Sequence, residues 1–534
     1  MNKKRLFIAV VSLIAMAVLV SPAMARQFTV GGRPLNLFGY VTQGVAYGLH
    51  DEYDTEEGVN QLLFNFLVEG DYRFTDELKL YAAGMFTADW IYDVKDGGSW
   101  EDRLFDKSSD NMHVDDEYWQ LLKEVHVTWT PGDFMFRVGK QIVAWGETDG
   151  FRLMDQINPL DQRRGMADVE FETSIIPIWL AKAEYYLPKS PSWLQDLGFE
   201  FIFNPNADFI PDQVLGGNDK AGIWAPNVPG PFPFANDPFF GLVPYFIYPT
   251  LPSPPATPGL PPIPSRVGSA TFNLKEPDSW NSEGFEYGFR IKGVVHDAIV
   301  TLNYFYGREN SPLVQMAPTP PGTSLASDGT VLVHPTFQGY YPRLQFVGAT
   351  FARDITPVKA SVLGGVAPVV RLEGFYSFGS TFDALDPVTQ TENYVKSDEV
   401  RWAAGVDWKV KIAFLNPRAY FMISPQFYHR KLLDYPSDRS LFTGWGQPIL
   451  EDNYMSTLLI NTSYLHNKLV PSFFWLHDLD NHADMYRLQL VYDYSNEWHF
   501  TLGALFLNGQ EPGNGVHIFE NKDYLYFKIS YKWG

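Results

Sequence analysis

No cysteine occurs anywhere in the chain. That excludes disulfide staples, thiol catalysis, cysteine-bound zinc and covalent c-type haem attachment. Positive charge is also scarce, with 41 Lys and Arg against 62 Asp and Glu and a formal net charge of −21. So acidic a chain lacks the basic footprint that nucleic acid requires, and no nucleic-acid partner is expected. After the first 20 residues, no segment supplies the ~18 consecutive apolar residues of a membrane helix. Enzymatic signatures are missing too: there is no Gly-x-Ser-x-Gly elbow, no His-Glu-x-x-His and no phosphate loop. The eleven histidines fall without ligand spacing. No enzyme, cofactor or resident metal site is expected.

What the chain has in abundance is aromatic side chains, 16% of all residues, with 29 Tyr and 15 Trp. The start reads as a secretory signal over residues 1–25. Lys3, Lys4 and Arg5 lead into an apolar run from Leu6 to Val20, and Ala23-Met24-Ala25 offers a small-x-small cleavage site. A retained transmembrane helix is the alternative, but the run is short and no basic stop-transfer cluster follows. Cleavage would leave residues 26–534 as one domain and move the formal charge from −21 to −24. An exported, acidic, aromatic-rich chain without membrane helices fits an outer-membrane barrel of a Gram-negative bacterium, which carries aromatic girdles and alternating strands. A periplasmic β-sandwich or propeller is the soluble alternative.

Periodicity separates the two. Leu78, Leu80, Ala82, Gly84, Phe86, Ala88 and Trp90 share one parity, with Lys79, Tyr81, Met85, Thr87 and Asp89 on the other. Phe285–Ile291, Trp402–Trp408, Tyr486–Tyr494 and Leu525–Trp533 repeat the pattern. Such faces outlast the ~5–6 residue strand of soluble sheets and match the ~9–11 residues that cross a bilayer at a tilt. Connections alternate as well. Tight turns at 74–76, 130–133, 297 and 495–496 alternate with long gaps at about 49–60, 91–117, 146–175, 207–283, 309–342, 379–397, 430–453 and 508–520. The expected fold is an all-β transmembrane antiparallel barrel of about 18 strands (16–18), with short periplasmic turns and long extracellular loops. One place resists: alternation through Trp129 and Phe134 puts Lys123 opposite Lys140 on the lipid face. A bulge near Gly139 would turn Lys140 inward and Trp145 outward; the alternative is that both lysines snorkel.

Inward parity collects Arg137, Arg290, Lys292, Arg343, Arg371, Arg401 and Arg487, against Glu124, Glu286, Glu373, Asp407 and Asp493. A basic lumen would favour anionic or zwitterionic solutes, unless these charges pair with one another across strands. The segment Trp145-Gly146-Glu147, continuing to Asn158-Pro159-Leu160-Asp161-Gln162-Arg163-Arg164, is expected to fold inward within 146–175 as a constriction or plug. Gln141, Arg152, Asp155, Asp161, Arg163 and Arg164 are its candidate residues, the last three facing the permeant; a rim cap is the alternative. The proline-rich stretch inside loop 207–283 carries Trp224, Phe232, Phe234, Phe239, Phe240 and Tyr245 as candidate mouth residues, presented to a greasy permeant or packed into an external cap. Carboxylates across 89–117, among them Asp89 and Asp115, could hold Ca²⁺ or Mg²⁺ bridging lipopolysaccharide phosphates, although their spacing favours a solvated loop.

Arg137-Val138-Gly139-Lys140-Gln141, Trp145-Gly146-Glu147 and Asn158-Pro159-Leu160-Asp161, in this order, resemble a proteobacterial outer-membrane barrel family known only as a domain of unknown function. Alginate-export porins are a more distant likeness. The resemblance implies an outer-membrane location and a porin-like fold in contact with outer-membrane lipid and lipopolysaccharide. It also implies insertion by the barrel assembly machinery, and association with a periplasmic lipoprotein and an inner-membrane resistance-nodulation-division exporter. One departure is the C-terminus: Gly534 follows Trp533 where such barrels end on an aromatic residue. The function expected is a porin-like channel for selective passage of small, hydrophobic or amphipathic molecules. A general diffusion porin and a non-transporting scaffold or adhesin are the alternatives.

Overall fold

The computed structural model describes residues 27–51, 57–95, 112–148, 152–165, 174–213, 250–251, 263–267, 271–317, 322–325, 331–334, 336–360, 365–386, 391–442, 448–509, 519 and 521–534. Eighteen antiparallel strands form its wall. In chain order they are β1 (Arg33–Leu49), β2 (Glu57–Gln61, continued as Leu63–Arg73), β3 (Leu78–Asp89), β4 (Leu122–Trp129), β5 (Phe134–Gln141) and β6 (Ile178–Tyr186). They continue as β7 (Leu194–Asn204), β8 (Glu286–Val295), β9 (Ala298–Arg308), β10 (Arg343–Asp354), β11 (Val369–Asp386) and β12 (Thr391–Val410). The last six are β13 (Phe421–Leu432), β14 (Asp452–Asn461), β15 (Leu469–Asp478), β16 (Ala483–Asp493), β17 (Trp498–Asn508) and β18 (Tyr524–Trp533). β18 pairs back onto β1 from Gly39↔Trp533 to Gly48↔Tyr524, so the sheet closes and has no open edge. A Cβ at Gly39 would lie 2.3 Å from the Trp533 ring, so this closing seam needs glycine there.

The tight turns have local causes. His296 and Asp297 both take positive φ (47° and 64°), the two-residue hairpin turn that matches strand twist. Thr75 Oγ1 accepts the N–H of Leu78 at 2.9 Å, and Ser495 Oγ accepts that of Trp498 at 3.1 Å. Outward parity leaves large apolar side chains exposed: Val127, Trp129, Phe134, Phe136, Val138, Leu302, Leu488, Leu490, Leu525 and Phe527. In water such a band would collapse; in hydrocarbon it is solvated. No described helix is long and apolar enough to cross a membrane. The segments near 199–206 and 472–477, where alternation is short, belong to β7 and β15.

Two expectations are corrected. The gap at 379–397 is not a loop: β11 and β12 continue past a bulge between Ser377 and Ser380 as a paired ribbon from Ser380↔Ser397 to Asp386↔Thr391. Polar residues dominate this ribbon, which hid it from an apolar-alternation reading. Likewise, the bulge is not near Gly139. β4 and β5 stay in register from Trp129↔Phe136 to Val125↔Lys140. The irregularity lies between β3 and β4, where Ala83↔Glu124 is followed by Gly84↔Leu122 and Lys123 is the extra residue. Lys140 is fully buried, and its ammonium donates to the carbonyls of Trp119 and Leu122 at 2.6 Å each. Trp145 faces inward, not outward.

Candidate functional site: an inward-folded loop across the lumen

After Gln141 the chain leaves the wall and enters the barrel. Asp155 makes the elbow: its Oδ1 accepts the backbone N–H of Trp145 at 2.6 Å and of Gly146 at 2.9 Å. Glycine at 146 leaves room for this carboxylate: a Cβ would come within 2.7 Å of Asp155 Oδ2 and push the side chain from its place. Asn158 then staples the loop to its own base. Its Oδ1 accepts the Val143 N–H at 2.8 Å, and its Nδ2 donates to the carbonyls of Gln141 at 3.2 Å and Ile176 at 3.0 Å. Gln141 itself is buried and donates to the Leu180 carbonyl at 3.1 Å. Arg152 donates to the Asn158 carbonyl at 3.1 Å. The Trp-Gly and Asn-Pro-Leu-Asp motifs are thus the hinge and staple of one substructure.

That substructure is fastened across the lumen. On β11, the Glu373 carboxylate accepts the N–H groups of Glu147 (2.9 Å), Thr148 (3.1 Å) and Met154 (2.6 Å) and the Thr148 hydroxyl (3.0 Å). Arg371 donates to the Glu147 carbonyl at 2.6 Å. From β7, Glu200 accepts the Trp145 indole N–H at 2.6 Å. Trp145, Leu153, Met154 and Ile157 pack in one buried apolar cluster with Ile178 and Leu180 of β6, Ile202 of β7, Phe305 of β9, Phe346 of β10, Phe375 of β11 and Tyr428 of β13. Met455 and Leu476 border this cluster half-buried.

Asp161, Arg163 and Arg164 do not face open lumen, as the sequence led us to expect. All three are buried. Arg163 donates to both oxygens of Asp161 at 2.8 Å and to Asp115 at 2.7 Å; Arg164 lies 3.1 Å from Asp115 and 3.3 Å from Asp161. Burial by itself would raise the Asp161 pKa, but the two guanidiniums outweigh it and hold the carboxyl well below the usual range. Arg163 stands in the mirror situation: burial opposes its charge, Asp161 and Asp115 outweigh that, and its pKa is raised. Asp115 was read as part of a solvated acidic loop; among that loop's described residues it is instead the fully buried partner of both arginines.

The wall charges are largely spoken for. Arg371 pairs with Asp407 at 2.8 Å, Arg401 with Glu399 at 2.7 Å, and Lys292 with Glu184 at 3.5 Å. Arg137 donates to Thr128 at 3.1 Å, Arg290 to the Ala144 carbonyl at 3.4 Å, and Arg343 to the carbonyls of Phe285, at 3.2 Å, and Glu283. Arg487 stacks over the Phe474 ring at 5.3 Å. The expected basic excess therefore shrinks. The sequence reading missed Glu184, Glu200 and Glu399, each buried beside its cation. Inward parity on β6, β7 and β12 would have found them.

A second apolar cluster lies at the loop end of the interior, on the inner faces of β16, β17 and β18. It joins Met485, Leu505, Leu507, Tyr524 and Tyr526 to Met112, with Tyr92, Phe474 and Phe519 against it. Leu476 touches both clusters. At the turn end, a cavity of about 610 Å³ opens beneath the loop, lined by Tyr40, Leu67, Glu69, Tyr81, Ala83, Lys123, Glu124 and Ile142 among others. The candidate mouth residues Trp224, Phe232, Phe234, Phe239, Phe240 and Tyr245 lie outside the described residues.

The family profile described as "Protein of unknown function (DUF1302)" matches residues 64–533. The chain belongs to the DUF1302 family. Its motif-bearing loop, residues 141–165, lies inside the matched region. No curated protein matches the DUF1302 chain in sequence. In structure it is similar to Acinetobacter baumannii OccAB3, at 8% identity over 94% of this chain and 100% of that one, with a TM-score of 0.45. It is similar to Pseudomonas aeruginosa OccK5 (OpdH) at 8% identity over 93% and 97%, TM-score 0.42. It is also similar to Salmonella typhi OmpF, solved in complex with daunomycin, at 9% identity over 95% and 100%, TM-score 0.39.

Proposed function

We propose that this DUF1302 protein is an outer-membrane channel, exported with a cleaved signal over residues 1–25, that passes small apolar or amphipathic molecules past the loop 142–165. The loop is the constriction. The observation that carries the reading is the loop's fastening inside the barrel: Glu373 and Arg371 of β11 and Glu200 of β7 hold it, its Trp145, Leu153, Met154 and Ile157 are packed into the wall, and the half-buried Met455, Phe474 and Leu476 border the packed clusters. Barrel interiors serving general aqueous diffusion are polar. The half-buried Met455, Phe474 and Leu476 give the space beside the loop an apolar edge that suits an apolar or amphipathic solute. Turn-end termini then face the periplasm, and the long loops face outward.

The test is flux through the refolded barrel in vesicles. The expected result is low, flickering ion conductance in a planar bilayer, together with faster entry of hydrophobic solutes than of sugars of similar size. A steady, large conductance with equal passage of both would support general diffusion and overturn this reading.

A further inference from the structure

The shortest ladder of the wall lies between β4 and β5. Each strand has eight residues, fewer than the ~9–11 that cross a bilayer. Their ladder spans only Val125↔Lys140 to Trp129↔Phe136. Beyond it, side chains replace the ladder. The Lys140 ammonium takes the carbonyls of Trp119 and Leu122, and the Glu124 carboxylate meets the Ile142 N–H. The rest of the gap is filled by segment 112–121, which ends in one helical turn, α1 (Tyr118–Leu121). Val114 and Leu121 pack against Phe86 and Ala88 of β3, and Ala88 bridges Val114. Trp119 turns inward to Ile176 and Ile210, while Tyr118 stays exposed. Directly behind the seam lies the 610 Å³ cavity, with Lys123, Glu124 and Ile142 in its lining.

We infer that this seam is a lateral portal, through which a single-chain amphiphile moves between the turn-end cavity and the hydrocarbon of the membrane. The inference rests on the proposed passage of apolar molecules and names its class and route. In hydrocarbon a wall cannot open by breaking a ladder, because each exposed N–H and C=O is costly. Here the lid can move while few ladder bonds are lost. The opening is the width of one helical turn, roughly 10–12 Å with side chains, which suits one alkyl chain.

Because the chain has no cysteine, a disulfide lock can be installed without competing thiols. Ala88→Cys with Val114→Cys ties the lid to β3. Gly84→Cys with Leu122→Cys, register partners at the base of the lid, serves as a second lock if the first does not fold to the heat-resistant barrel. The probe is a long-chain fatty acid bearing a diazirine, dissolved in phosphatidylethanolamine–phosphatidylglycerol vesicles that hold the refolded protein. After illumination, labelled peptides are mapped. In the reduced protein, label is expected on the outward band around Leu302 and Leu488 and on the cavity residues Tyr81, Ala83 and Ile142. In the locked protein, cavity labelling falls at least tenfold while outward labelling is unchanged, and reduction restores it. Lys140→Met raises cavity labelling several-fold. Equal cavity labelling in locked and reduced protein, or none in either, overturns the portal. Cavity labelling that responds to the lock in a barrel that passes no hydrophobic solute leaves the portal standing and removes the channel reading instead.

Discussion

Glu373 concentrates the attachment of the inward-folded loop in one carboxylate. It accepts from Glu147, Thr148 and Met154, so Glu373→Ala leaves several inward N–H groups without their acceptor. Each buried donor stranded in this way costs about 1–3 kcal/mol. The loop should detach from β11, and single-channel conductance should rise and lose its flicker; an unchanged trace would mean that packing alone holds the loop. Asp161 gives the site a pH dependence. Its folded pKa lies below the ordinary value, so its contribution to the ion cluster is present above that ordinary value and is lost as pH falls through the folded one. Protease nicking of the loop should therefore increase under acid conditions, and Asp161→Asn should be nicked already at neutral pH. Equal nicking of both proteins at neutral pH would show that Asp161 does not hold the loop. Neither role was visible as such in the sequence. Parity assigned Glu373 to the lumen correctly. Its partners are three backbone groups and the Thr148 hydroxyl, more than 200 positions earlier, a distance that periodicity does not reach. Asp161 was seen as polar, but its burial depends on Asp115 arriving from another loop.

At the scale of elements, alternation read the wall well because lipid imposes one rule on every outward residue. It failed where that rule is relaxed. The ribbon from Ser380 to Asp386 presents only a short apolar face, Phe382 and Ala384, and packs it on Leu432, Leu441 and Ile449 instead of lipid, so it lacks the long alternation that marks the wall. The Lys123–Lys140 conflict was real, yet its resolution is a bulge in β4 and a helical lid whose backbone carbonyls at Trp119 and Leu122 take the Lys140 ammonium, a pairing that alternation does not show. The Trp-Gly elbow, in contrast, was legible as an element, and its mechanism can be tested. Gly146→Ala places a methyl 2.7 Å from Asp155 Oδ2. Overpacking of this kind costs typically 1–3 kcal/mol. The barrel itself should still fold and shift on heating in gels, because the elbow is not part of the ladder. The loop should fluctuate, so conductance noise should grow relative to the parent. A variant that loses the barrel as well would show that the loop is needed for assembly rather than only for constriction.

For the whole molecule, stability comes from a closed ladder and a solvent that is greasy outside and wet or protein-filled inside. Closure from Gly39↔Trp533 to Gly48↔Tyr524 leaves the wall without an open edge, and the lack of cysteine means that no covalent cross-link assists. The lipid band should then show a depth-dependent response to charge that a soluble sandwich would not. Leu302 is 61% exposed in the middle of β9, and Leu525 is 44% exposed near the loop end of β18. An arginine at the bilayer midplane costs roughly 2–4 kcal/mol and one near an interface about 0–1 kcal/mol. Leu302→Arg should therefore lower folding stability in vesicles by several times more than Leu525→Arg, as read from reversible denaturant titration. A soluble fold would abolish the difference, since both side chains would face water and either arginine would cost almost nothing. Equal, negligible effects would place this band outside hydrocarbon, and with it would fall the outer-membrane location on which the channel and the portal both depend.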